Sequence, residues 1–215
     1  NIINQNKVGS YVGYNFLHIP LVKRAKKIIS SGILGKINYF RSVFNQDYFS
    51  DPNKAFNWRF LKKEGGSGVL QDLASHSIAF ALYFCDDISD VVSYMDTFVK
   101  KRRFKAKMKK VENFDNLKVL IKFKSGFSGI IESSRVFTGK KWDLSFEIQG
   151  TKGAIYFNNE NMNEMYFYNK NNNFYKSGLT KLYPNNKDYY QKYFNPIDGF
   201  SLGFNDQKLI EVNQM

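Results

Sequence analysis

The sequence predicts an α+β domain built on an open, mostly antiparallel β-sheet with helices on one face. Two observations carry this. Two segments with helical apolar spacing come first, and six short strand-like segments separated by turn chemistry follow them. The 215 residues are 43% hydrophobic and 17% aromatic, enough to bury the core of one domain but too few for two full ones. Such a sheet packs one face on its helices and leaves the other for water or a partner subunit.

In chain order, Val8 to Tyr14 carries strand-forming residues. Pro20 to Gly32 reads as a helix: Pro20 suits the first turn, Leu21, Ala25, Ile28 and Ile29 share a face, and Gly32 stops it. Ile37 to Phe44 alternates as a strand. A polar and aromatic stretch, Asn45 to Lys63, leads into the glycine-rich Glu64–Gly68, and Val69 to Phe84 returns to helical spacing. The strand candidates are Val91–Val99, Leu117–Phe123, Ser128–Arg135, Leu144–Gln149, Ala154–Phe157 and Met165–Tyr168, divided by glycine-containing turns. Asn169 to Asn195 lacks periodicity and reads as surface, and Gly203 to Val212 starts a helix that the chain end cuts short.

The net charge of +13 is concentrated: Lys100 to Lys110 holds eight basic residues in eleven, and without them the remainder carries +5. With 26 lysines against 6 arginines, part of the charge is compositional. Phe104 is the run's one aromatic, so base stacking has little support, nucleic acid is an unfavoured partner, and a solvated, mobile loop between two strands is expected. No apolar run is long enough to span a bilayer and no signal-like leader opens the chain, so a cytoplasmic, non-membrane protein is expected. The one cysteine, Cys85, excludes an internal disulfide framework and a multi-cysteine zinc site.

Asp72 and His76 stand four apart on the second helix, on one face. A histidine moves protons near neutrality, and a neighbouring carboxylate orients the ring, raises its basicity or holds a substrate hydroxyl. The alternative is an aspartate favoured by the first helical turn beside a histidine satisfied by its surroundings. A metal pair is disfavoured because His18 is the only other histidine and no third ligand is evident; none is expected. Arg59 beside Trp58 either lines a pocket or packs as a surface cation on the ring.

Six motifs occur in a fixed order: V-G-Y-N-F-x-H-I-P from Val12, W-R-F from Trp58, G-S-G-x-L-x-D-L-x-S-H from Gly66, S-R-x-x-T-G from Ser134, F-E-I-x-G-T-K-G from Phe146, and M-N-E from Met162. Together they resemble the C-terminal half of the glucose-fructose oxidoreductase / inositol dehydrogenase family (Gfo/Idh/MocA), over roughly Val8 to Phe204. The resemblance implies a dihydrodipicolinate-reductase-like C-terminal domain, whose open sheet serves substrate binding and homo-oligomerisation. It implies a polyol or sugar substrate and an NAD or NADP cofactor held mainly by an N-terminal Rossmann domain. His76 would be the acid/base and Asp72 would orient it or bind a substrate hydroxyl. Gln46, Asp47, Arg59 and Arg135 would face substrate, and Asn15 would lie at the junction near the cofactor.

The family's dinucleotide fingerprint and its Glu-Lys-Pro motif do not occur here, and Leu17 stands where an arginine is usual. The expectation is therefore that residues 1–14 are the last strand of a missing Rossmann domain and 15–215 the C-terminal domain, without dehydrogenase activity on its own. The alternative is a non-catalytic module for oligomerisation or sugar binding.

Overall fold

A computed structural model describes residues 5–6, 8–170, 178–194, 197–198 and 200–214. Helix α1 (Pro20–Ser30) turns Leu21, Val22 and Ala25 inward. Helix α2 (Ser75–Phe84) buries Ser77, Phe80, Ala81 and Phe84, and helix α3 (Phe204–Val212) buries Ile210. The strands are β1 (Ile37–Asn45), β2 (Ile88–Asp96), β3 (Lys101–Phe104), β4 (Lys107–Lys110), β5 (Asn116–Phe123), β6 (Ser128–Ser134), β7 (Asp143–Gly150), β8 (Gly153–Asn158), β9 (Met165–Asn169) and β10 (Thr180–Leu182).

Eight strands form one open sheet in the order β10-β9-β8-β7-β1-β6-β5-β2. Every pairing is antiparallel except β1 with β6, which runs parallel from Tyr39↔Ser128 to Asn45↔Ser134. The predicted α+β class and open, mostly antiparallel sheet are therefore observed. Strict alternation along β5 shows how the sheet is dressed. Leu117, Val119, Ile121 and Phe123 enter the core, while Lys118, Leu120 and Lys122 face out. Across the core, Phe146 of β7 meets Phe80 and Phe84 of α2 at ring separations of 5.2 and 4.5 Å, which seats α2 on the sheet.

Two expectations change, and one segment stands without the neighbours it needs. The basic run is not a loop: β3 and β4 form a two-stranded hairpin. Its turn lacks the glycine or asparagine that marks a hairpin in sequence, and Lys105 takes the left-handed conformation instead (φ 55°). Arg102 is fully buried there: its guanidinium lies 4.7 Å from the Phe60 ring centroid and donates to the carbonyls of Phe49 and, at 2.7 Å, Asp51. Residues 8–14 belong to no strand among the described residues; a strand requires a ladder partner, and the sequence reading places the partners of this segment in the missing Rossmann sheet. The Asn169–Asn195 stretch contains β10 and a short helix at Gln191–Phe194, while 171–177 and 195 lie outside the described residues.

A fully buried polar hub joins these parts. Arg135, one residue beyond β6, donates from Nε to Asp115 at 3.1 Å and from Nη2 to Asn113 at 2.6 Å. The second Asp115 oxygen accepts from the Val99 backbone at 3.0 Å, and the Asn113 amide donates to the carbonyl of Arg59 at 2.7 Å. Removing one partner strands a buried charge. Asp115→Ala is expected to lower unfolding stability by about 3–5 kcal/mol, read as a lower urea midpoint at unchanged slope; a midpoint equal to that of the parent chain would contradict this role.

Candidate active site

At the C-terminal end of β1, on the helical side of the sheet, lies a cavity of about 610 Å³ lined by residues of the Asn15 segment, the end of β1 and its following loop, α2, and the β6–β7 connection. The glycine-rich turn places α2 against it. Gly66 and Gly68 both take left-handed backbone (φ 56° and 70°), and a Cβ on Gly68 would meet the Phe114 carbonyl oxygen at 2.5 Å. The chain then winds through a wide π-type turn, Leu70–Ala74, before settling into α2. The single continuous helix expected over Val69–Phe84 thus begins with a π-turn, a feature that recurs at functional sites.

His76 sits in the first turn of α2, with the rings of Phe16, Tyr14 and Phe44 edge-on at 4.9, 5.6 and 5.7 Å. Its Nδ1 is buried with no protein partner. Burial pushes the imidazole down to about 4, while the nearby Asp72 carboxylate pulls the other way. Asp72 accepts a hydrogen bond from the Tyr48 hydroxyl. Burial first, then the Asp72 charge, push the Tyr48 phenol far above its ordinary range, so it stays a donor.

The predicted residues divide by position. Asp72, His76, Gln46, Arg59 and Asn15 all line the cavity, and the Asn15 amide nitrogen is buried without a partner. Asp47 is not among the lining residues; it binds Lys141 Nζ, a lining group, at 2.5 Å, the main reason its carboxyl lies below the ordinary carboxylate range. Arg135 is committed to the buried hub and borders a separate cleft of about 400 Å³ beside Trp58 and Gly66. The sequence reading missed Tyr48, Lys141, Trp142 and Phe204, which also line the cavity. Tyr48 was within reach, because it directly follows the Gln46–Asp47 pair that the sequence singled out. Trp142 and Phe204, with ring centroids 5.7 Å apart, meet only through tertiary packing. Among the described residues, no three His, Cys, Asp or Glu side chains converge as a metal site, and no helix is long and apolar enough to cross a membrane.

An open sheet with one helical face and a cavity at the end of a central strand defines a class, an α+β domain with a ligand-sized site on its helical side. Residues 22–156, more than half of the chain, match the family model described as the GFO/IDH/MocA C-terminal domain, and the chain belongs to that family. Levoglucosan dehydrogenase of Pseudarthrobacter phenanthrenivorans is 29% identical over 225 residues, covering 98% of this chain and 58% of that protein. The structure of levoglucosan dehydrogenase in complex with NADH and L-sorbose superposes with a TM-score of 0.93 at 31% identity, over 98% of this chain and 57% of that one. An NAD binding oxidoreductase from Klebsiella pneumoniae superposes with a TM-score of 0.91 at 33% identity, over 98% and 57%. The chain thus spans a little over half the length of these relatives.

The depressed His76 value fixes a pH dependence. The unfolded chain takes up this proton near the ordinary 6.5, the folded chain only near 4, so the unfolded state binds more protons between those values. Stability is complete above about 6.5 and falls as pH drops toward 4. His18, lowered by burial and by Lys23, acts in the same direction. NMR titration of the two histidine ring resonances, assigned with His18→Asn, is expected to place the His76 midpoint near 4. A midpoint at or above 6.5 would contradict the burial account.

Proposed function

We propose that this chain is the substrate-binding and proton-transferring half of an NAD(P)-dependent oxidoreductase that acts on a hydroxyl of a sugar or cyclitol. The observation that carries this reading is His76, neutral at physiological pH, with an unpartnered buried nitrogen beside Asp72 in a cavity open to a ligand. Solved relatives carry NADH together with L-sorbose or with levoglucosan.

The residues present suit the reactive end of such a cofactor. The orphaned Asn15 amide and the neutral His76 ring stand among the aromatic rings of Phe16, Trp142 and Phe204, a setting for a flat heteroaromatic ring and a hydroxylated carbon. When bound, a nicotinamide dinucleotide takes the hydride leaving the substrate carbon. His76 takes the hydroxyl proton. Burial outweighs the Asp72 charge and leaves the ring a weak base, and the Asp72 negative charge offsets part of that cost by stabilising the imidazolium as it forms. Tyr48 fixes that carboxylate through its hydrogen bond. Phe16 and Phe44 pack against the ring and hold water off its faces.

The rest of the dinucleotide is assigned to chain outside these residues, since the sequence carries no G-x-G-x-x-G fingerprint. Self-association through the outer face of the sheet belongs to the same reading. Val92, Tyr94 and Leu120 stand there 71%, 69% and 59% exposed on the neighbouring strands β2 and β5.

In the full-length protein, His76→Asn is expected to lower kcat for NAD(P)-dependent polyol oxidation by about 10²- to 10⁴-fold, with little change in substrate affinity. Asp72→Asn is expected to lower kcat less and to shift the acid limb of the rate profile. An His76→Asn variant that turns over at the parent rate would sink this reading.

A further inference from the structure

The cavity is not electrically balanced. Its lining contains three cations, Lys54, Arg59 and Lys141, and one carboxylate, Asp72. Lys141 is matched by Asp47 just outside the lining, and Asp72 is engaged by Tyr48. Lys54 and Arg59 have no carboxylate partner among the described residues.

Arg59 is the informative one. The chain uses arginine sparingly, 6 against 26 lysines, and most of its arginines are committed to protein partners. Arg24 clamps Asp188, Arg41 meets Glu147, Arg135 meets Asp115, and Arg102 is buried on carbonyls. Arg103 stands on the outer hairpin. Arg59 lines this cavity and also the adjoining cleft beside Trp58, yet it is not a loose surface cation. Its backbone nitrogen donates to Asn57 Oδ1 at 2.9 Å, and its carbonyl accepts from Asn113 at 2.7 Å and from Arg135 at 3.4 Å. Its guanidinium carbon lies 4.4 Å from the Trp58 ring centroid. This cation–π contact restrains a planar fork of donors, and the backbone bonds hold its base. Such a pre-organised fork suits a planar or tetrahedral oxyanion better than a lone hydroxyl. Lys54 also lines the cavity, its ammonium over the Phe49 ring and bonded to the Tyr48 carbonyl, where it adds positive charge.

We propose that the substrate carries an anionic group, a carboxylate or phosphate on a polyol frame, seated on Arg59 with support from Lys54, while its reacting hydroxyl lies against His76. This rests on the function proposed above and narrows its substrate class from any sugar or cyclitol to acidic ones.

The test uses the full-length protein with NAD(P) and four probes: D-gluconate, D-glucose 6-phosphate, D-glucose and levoglucosan. An anionic probe is expected to exceed the neutral ones in kcat/KM by about tenfold or more, and whichever of gluconate and glucose 6-phosphate leads identifies the group. Arg59→Gln is expected to erase that preference mainly through KM, and Arg59→Lys to restore part of it. Neutral probes preferred by the parent protein would overturn the inference and leave the oxidoreductase reading standing. An Arg59→Gln variant with a raised KM for the dinucleotide alone would also overturn it, by assigning the fork to the cofactor. If no probe is oxidised, quenching of Trp58 and Trp142 fluorescence decides. Saturable quenching by an anionic probe that Arg59→Gln abolishes upholds the anion site and removes the activity reading. No quenching removes both.

Discussion

The site depends on a polar interaction that never touches the cavity. Arg135, Asp115 and Asn113 are fully or almost fully buried, and together they bond the end of β6, the start of β5, the backbone at Val99 and the carbonyl of Arg59. Without its partners each would be a costly buried polar group, so the three constrain one another. Asn113 also reaches the Gly66 carbonyl at 3.4 Å, within the turn that launches α2. The neighbouring Phe114 carbonyl accepts from Val69 at 3.0 Å. Through these bonds the sheet fixes where the π-turn begins, and hence where Asp72 and His76 stand.

Within the cavity, two opposing effects act on one ring. Burial among Phe16, Tyr14 and Phe44 strips His76 of water and favours its neutral form, while the Asp72 charge favours the protonated one. Burial prevails at rest, which keeps the ring neutral and weakly basic. The Asp72 charge would stabilise any positive charge that develops on the ring. The hydrogen bond from Tyr48 keeps that carboxylate from rotating away.

Much of this was legible in the sequence, and the exceptions have physical causes. The α1 and β1 spans and the meander from β5 to β9 follow apolar periods and glycine turns. The Asp72/His76 pair was visible because four residues make one helical turn. The parallel pairing of β1 with β6 was not readable, since it joins segments that lie far apart in sequence and share no local signal. The hairpin at Lys101–Lys110 was hidden by its charges: a run of lysines reads as solvated loop, and nothing local announces that Arg102 turns inward. For the same reason Arg135 looked like a pocket donor, although tertiary structure commits it to Asp115. Phe204 enters the cavity from α3, far along the chain, and no spacing rule connects it to His76.

In the proposed reaction this cavity brings a polyol hydroxyl to His76. The most direct measurement is a crystal structure of the full-length protein with reduced dinucleotide and a bound polyol. The account requires a substrate hydroxyl within about 2.6–3.2 Å of a ring nitrogen of His76, with Asp72 still engaged by Tyr48. A polyol bound elsewhere, or one whose hydroxyls all lie beyond reach of that ring, would contradict it.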